Sequence, residues 1–216
     1  MRLCLITFFF IGFLANAQDP DRFADQVASI QQKYETHWDG SKETIVFTGS
    51  STIRMWKNLQ TLFPEHQIIN SGFGGSQASD LLAYSDELIS NYRPKKVFIY
   101  EGDNDIFAKK KPKEIIATFE QLIAQIRDKN QNIQIVLLAA KPSLARWELK
   151  RKYKQLNRKF KKLSKKDATV EYVDVWHPML DGKTVKQDIF IEDGLHMNAK
   201  GYGLWYDVIK PYVEKP

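Results

Sequence analysis

Cysteine is almost absent from this chain, with Cys4 the single one among 216 residues. Beyond that position there is no thiol to act as nucleophile, to hold zinc or to form a disulfide, so redox and cysteine-zinc chemistry are excluded. Histidine is also scarce: His37, His66, His177 and His196 are the only four, and no two lie within a helical turn of each other. That spacing offers no metal-ligand motif, and we expect neither metal nor cofactor. Eleven glycines and eight prolines are too few for a collagen-like or low-complexity chain. No apolar run reaches the roughly 20 residues that a membrane-spanning helix requires. No internal repeat is present.

The longest apolar stretch runs from Leu3 to Ala15, behind Met1-Arg2 and ahead of Ala15-Asn16-Ala17. A basic start, a short apolar core and small residues at its end read as a secretory signal over residues 1 to 17, cleaved after Ala17. We expect residues 18 to 216 to form one exported domain, secreted or periplasmic and without a stable membrane anchor. A chain of this size buries a sufficient core without disulfides.

Charge is unevenly placed. The formal net charge is +6, yet residues 145 to 166 alone hold eleven Lys or Arg against the single acid Glu148. In the same segment Leu149, Tyr153, Leu156, Phe160 and Leu163 recur at steps of four and three, the apolar stripe of a helix on a core, with the cations on its solvent side. A basic helix face can meet an anionic partner, but an ordinary solvated face explains it as well. Without interleaved exposed aromatics we expect no nucleic-acid partner.

Five runs rich in β-branched and aromatic residues, at 44–49, 67–72, 96–102, 133–140 and 170–176, alternate with segments of helical period at 21–36, 79–91, 112–129 and 199–213. This alternation predicts βαβ units around a parallel sheet. The nearly continuous apolar stretches Ile45-Val46-Phe47, Val97 to Tyr100 and Ile135 to Leu138 suit strands covered on both faces. In such a sheet the residues just past the strand ends converge on one crevice. Those positions carry Gly49-Ser50-Ser51, Ser71 to Ser76 with three glycines, and Gly102-Asp103-Asn104-Asp105; Asp193-Gly194-Leu195-His196 precedes the last helix.

Together these segments offer a hydroxyl, a glycine amide, a side-chain amide and an Asp/His pair. Acyl transfer from an ester needs such a set: a base to take the serine proton, a carboxylate to hold the imidazole, and donors for the oxyanion. Each segment alone has a plainer reading. Gly49 can simply end a strand, Asn104 and Asp105 can cap a helix, and a lone histidine is more often structural. No Gly-x-Ser-x-Gly elbow is present, which argues against the α/β-hydrolase arrangement. His177, just past the fifth run, is a rival base; if Asp174 lies on the strand, its side chain points away from His177.

With these four blocks in order, the chain resembles the SGNH hydrolases, also called GDSL-type esterases and lipases, over essentially all of residues 18 to 216. The resemblance implies a three-layer flavodoxin-like α/β fold, a five-stranded parallel sheet with helices on both faces. It makes Ser51 the nucleophile, Asp193 and His196 its partners, and Ser51, Gly75 and Asn104 the oxyanion donors. Ser50 stands where the family name has Asp. The implied function is hydrolysis of short acyl esters through an acyl-enzyme, with acetyl groups on a carbohydrate as the expected substrate. By their positions near the glycine cluster and after the fourth run, Phe73 and Trp147 are the residues expected to wall a shallow substrate pocket. The alternative is a non-catalytic carbohydrate-binding or scaffold protein of the same fold, with Trp56, Trp147 and Trp205 stacking on sugar.

Overall fold

The structure, a computed structural model, describes residues 19–215. The secretory segment read from residues 1 to 17, with Cys4, lies outside the described residues. Five strands form one parallel sheet: β1 (Thr44–Gly49), β2 (Gln67–Gly72), β3 (Lys96–Tyr100), β4 (Gln134–Leu138) and β5 (Val170–Val173), in the order β2-β1-β3-β4-β5. That is the flavodoxin-like order, and its direction reverses between β1 and β3, where open α/β sheets place their sites. β1, β3 and β4 are buried along nearly their whole length, as their apolar sequences require. Phe47 and Phe98, paired in register across β1 and β3, stack with ring centroids 4.3 Å apart.

Helices follow the strands: α1 (Ala24–Glu35) ahead of β1, α2 (Ser51–Arg54) and α3 (Leu59–Leu62) after it, α4 (Ala78–Ala83) and α5 (Ser85–Leu88) after β2. Then come α6 (Asp103–Phe107) and α7 (Pro112–Lys129) after β3, α8 (Lys150–Ser164) after β4, and α9 (Ala199–Glu214). A short antiparallel pair, β6 (Leu180–Asp181) and β7 (Thr184–Val185), lies between β5 and α9. On one face α9 packs onto the segment after β1, with Trp56 against Trp205 at 6.0 Å and Phe63 against Tyr206 at 5.4 Å. On the other, α7 meets α8 through Phe119 and Phe160 at 4.6 Å, and α4 packs on α7.

Helix α7 spans the range its sequence predicts, and its Pro112 sits in the first turn, where the missing N–H is not needed. The 79–91 segment instead breaks into α4, α5 and a 3-10 turn, because Tyr84 leaves helical geometry at φ −110°, ψ 22°. β5 ends at Val173, three residues before its apolar run does, because the Asp174 carboxylate accepts from the backbone N–H groups of Trp176 (3.0 Å) and His177 (3.2 Å) and turns the chain. The α8 stripe packs as expected, with Tyr153, Leu156 and Phe160 buried and Leu149 and Leu163 half-buried. Arg146 corrects the expectation that the cations of this segment face solvent: it precedes the helix and is only 9% exposed, drawn inward by Asp103.

Candidate active site

Gly49 closes β1 at φ +122°, and a Cβ there would stand 2.0 Å from the Tyr100 carbonyl oxygen, so only glycine lets the chain pass. That carbonyl accepts the Ser50 N–H at 3.0 Å, and the chain turns at once into α2. The two serines then face different ways. Ser51 Oγ lies 2.8 Å from His196 Nε2, whereas buried Ser50 Oγ accepts a hydrogen bond of 2.8 Å from Asn104 Nδ2.

His196 and Asp193 sit on one turn ahead of α9. Asp193 Oδ2 is 2.5 Å from His196 Nδ1, and its Oδ1 accepts the backbone N–H groups of Leu195 and His196, both at 2.8 Å. Partial burial works to raise the Asp193 carboxyl, but the hydrogen bonds from the His196 side chain and from these amides bring it down to about 2. It is therefore a carboxylate at neutral pH, and it anchors its loop while orienting the ring. Ser51, His196 and Asp193 thus form an unbroken hydroxyl–imidazole–carboxylate chain.

Among the described residues, the backbone N–H groups of Ser51 and Gly75 have no hydrogen-bond partner. Gly75 adopts φ +84°, and the space its Cβ would fill is open. Asn104, in the first turn of α6, donates its second amide hydrogen to the Ser76 carbonyl oxygen at 2.8 Å and accepts Arg146 Nη1 on Oδ1 at 3.1 Å. Ser76 is itself held from below, its Oγ 2.5 Å from Glu101 Oε1 and 3.1 Å from the Phe73 carbonyl oxygen. Burial, reinforced by Asp105, pushes the Glu101 carboxyl well above the carboxylate range. A protonated Glu101 can donate to Ser76 Oγ and leave the serine hydrogen for Phe73, so both short contacts are satisfied.

His177 also has a carboxylate partner, with Nδ1 2.6 Å from Asp174 Oδ2, which corrects the expectation that the two side chains diverge. The divergence would hold on a strand, but Asp174 lies in the turn after β5. The pair is exposed, and among the described residues no hydroxyl meets the His177 ring. Phe73 does not wall a pocket: it is fully buried, edge-on to Phe23 with centroids 5.1 Å apart. Trp147 is half-buried and stacks on Trp176 at 6.0 Å. Trp56 and Trp205 are interior, at 0% and 1% exposure, so neither can stack on a sugar. The large apolar side chains exposed among the described residues are Phe107, Leu144 and Ile191. Phe107 lies against the Arg146 guanidinium, Leu144 adjoins Gly194, and Ile191 pairs with His196 through its backbone. A cleft of about 460 Å³ between α1 and residues 54–60 is lined by none of Ser51, Asp193 and His196.

Among the described residues no group of His, Cys, Asp or Glu is arranged to hold a metal ion, and no helix is long and apolar enough to cross a membrane.

A parallel sheet of this order defines the class of flavodoxin-like α/β proteins, and comparison with known families narrows it. The GDSL-like Lipase/Acylhydrolase family matches residues 36–204, and the chain belongs to that family. Among solved structures, a candidate platelet activating factor from Streptococcus pneumonia is 24% identical, with a TM-score of 0.77 over 89% of this chain and 95% of that one. A GDSL-like lipase from Bacteroides thetaiotaomicron is 20% identical, with a TM-score of 0.73 over 91% and 97%. A catalytic mutant of an acetylxylan esterase from Geobacillus stearothermophilus is 18% identical, with a TM-score of 0.67 over 81% and 95%. These likenesses show the fold. No curated protein matches the sequence.

Proposed function

We propose that the chain is an exported serine esterase that hydrolyses short-chain acyl esters, acetyl esters above all, with acetylated carbohydrate as the substrate class. The observation that carries the reading is the contact of Ser51 Oγ with His196 Nε2 at 2.8 Å, backed by Asp193 at 2.5 Å. In this reading Ser51 attacks the ester carbonyl while His196 takes its proton, and Asp193 stabilises the imidazolium. The N–H groups of Ser51 and Gly75 and the Asn104 amide receive the charge on the carbonyl oxygen. His196 then protonates the departing alcohol, and water, activated by the same imidazole, frees the acyl group from Ser51. The chemistry needs no cofactor. Family membership supports hydrolysis, the acetylxylan esterase among the structural relatives supports the acetyl-sugar preference, and the basic start, apolar run and small residues of positions 1 to 17, read as a secretory signal, support export.

A fluorophosphonate probe with peptide mapping tests the assignment. It should modify Ser51, and Ser51→Ala should lose both label and turnover of a chromogenic acetate, while Ser50→Ala keeps the label. Labelling of Ser50, or none, refutes it.

A further inference from the structure

Behind the site lies a charged cluster with no part in the steps above. Asp103, Lys141 and Arg146 are 5%, 1% and 9% exposed. Asp103 Oδ1 accepts from Arg146 Nη1 at 2.6 Å and from Tyr153 OH at 2.5 Å; its Oδ2 accepts from Tyr100 OH at 3.0 Å and faces Lys141 Nζ at 3.9 Å. Burial works to raise the Asp103 carboxyl, but Lys141 and Arg146 outweigh it and hold it below the ordinary carboxylate range. The cluster is thus one anion between two cations. Such groups are costly to bury, and apolar side chains of similar volume would often serve stability as well or better.

Each cation has a second partner, and these lie in opposite halves of the site. Arg146 Nη1 donates to Asn104 Oδ1 at 3.1 Å and so fixes which end of the amide faces Ser50 and Ser76. Lys141 Nζ donates to the Leu195 carbonyl oxygen at 2.6 Å, inside the turn that joins Asp193 to His196, with the Phe190 ring 5.7 Å away. The geometry points to Lys141 and Arg146 as positioning residues: through the shared Asp103 carboxylate they tie the Asn104 amide to the loop of His196, so that oxyanion donor and base keep a fixed separation. This rests on the esterase reading. The charged groups around Lys141 are Asp103, Arg146 and Asp193, and His196 itself faces Asp193.

Lys141→Met should fold, lower kcat by about 10- to 100-fold and leave KM within about twofold, since misplaced groups cost turnover more than binding. Its acid limb of activity should also move to higher pH, because a cation opposing protonation nearby has gone. The amides of residues 194–196 should exchange faster with solvent. Lys141→Arg, which keeps charge and donor, should restore most of the rate and return the acid limb. Arg146→Met should lower kcat without loosening residues 194–196. A folded Lys141→Met with parental kcat and pH profile overturns the proposal. Should that variant not fold, the unmodified protein decides: by NMR the Lys141 ammonium hydrogens should exchange slowly and lie close to Leu195, and a fast-exchanging signal overturns it. A parent that cleaves no ester yet shows this protected ammonium defeats the esterase reading alone, and the tethering of the loop stands.

Discussion

Replacing Asp193 by Asn keeps size and shape, so its effect isolates one hydrogen. In the parent, Oδ1 accepts two backbone N–H groups at 2.8 Å while Oδ2 receives His196 Nδ1 at 2.5 Å. The asparagine amide has one oxygen to place. If it stays with the two backbone donors, its NH₂ faces His196 Nδ1, which must then be the unprotonated nitrogen. The ring proton moves to Nε2 and points at Ser51 Oγ, so the imidazole can no longer take the serine proton. Flipping the amide would restore the tautomer at the loss of both backbone hydrogen bonds, about 1 kcal/mol each, which leaves roughly one molecule in 30 correctly arranged. That fraction lacks the carboxylate beneath the imidazolium, and a charge-assisted bond of about 1.5–3 kcal/mol removes a further 10- to 100-fold. The loss in kcat should therefore be on the order of 10³, approaching the roughly 10⁴ seen when the same exchange is made in serine protease triads. Initial rates on a chromogenic acetate at neutral pH, with thermal unfolding as a control, measure it. A folded Asp193→Asn protein within about threefold of the parent would refute the tautomer argument.

Asn104→Ala should lower kcat about 100- to 1,000-fold with KM little changed, and a fully active folded variant would remove Asn104 from the oxyanion site. Turnover should fall as chromogenic esters lengthen from acetate through butyrate to palmitate. A long chain gains about 0.8 kcal/mol per methylene only where a groove removes it from water, and Phe107, Leu144 and Ile191 offer a few exposed apolar side chains; a rise toward palmitate would contradict this. Asp167, hydrogen-bonded by Arg127, is held at about 2, against an ordinary value of 3.8. Its folded value is depressed, so the stability it contributes is present above about pH 4 and lost as pH falls through about 2. Arg127→Gln should therefore lower Tm near pH 7 and make much less difference at pH 2; equal loss at both would show that the pair acts through packing alone.

Period and composition located the sheet because each central strand is apolar on both faces, and the boundaries of β1, β2 and α7 were legible to the residue. Elements whose ends depend on a side chain returning to the backbone were not. Nothing in the local pattern says that Asp174 will take two amides and end β5 early, or that Tyr84 will split a helical segment. At the site, the groups that meet at strand ends were legible from order and residue type. Lys141 and Arg146 were not: a lone lysine just past a strand, or an arginine at the head of a basic stretch, reads as solvated until a buried anion such as Asp103 is seen to need it. Aromatic roles failed for the reverse reason: Phe73, Trp56 and Trp205 have the residue types of a binding wall, and packing buried all three.

Asn104 has two amide hydrogens, and both are engaged before substrate arrives, one by Ser50 Oγ and one by the Ser76 carbonyl. On the esterase reading, the ester must compete with Ser50 for the first. A neutral carbonyl is no better an acceptor than that hydroxyl, so the ground state gains little by displacing it. An oxyanion makes a charge-assisted bond roughly twice as strong, and only then does the hydrogen change partner. On that reading Ser50 would act as a threshold: the Asn104 interaction is withheld from the neutral ester and acyl-enzyme and released to the charged intermediate, the condition under which an interaction raises kcat without tightening ground-state binding. Anionic tetrahedral mimics such as boronates should gain far more from Asn104 than neutral ketones of the same shape.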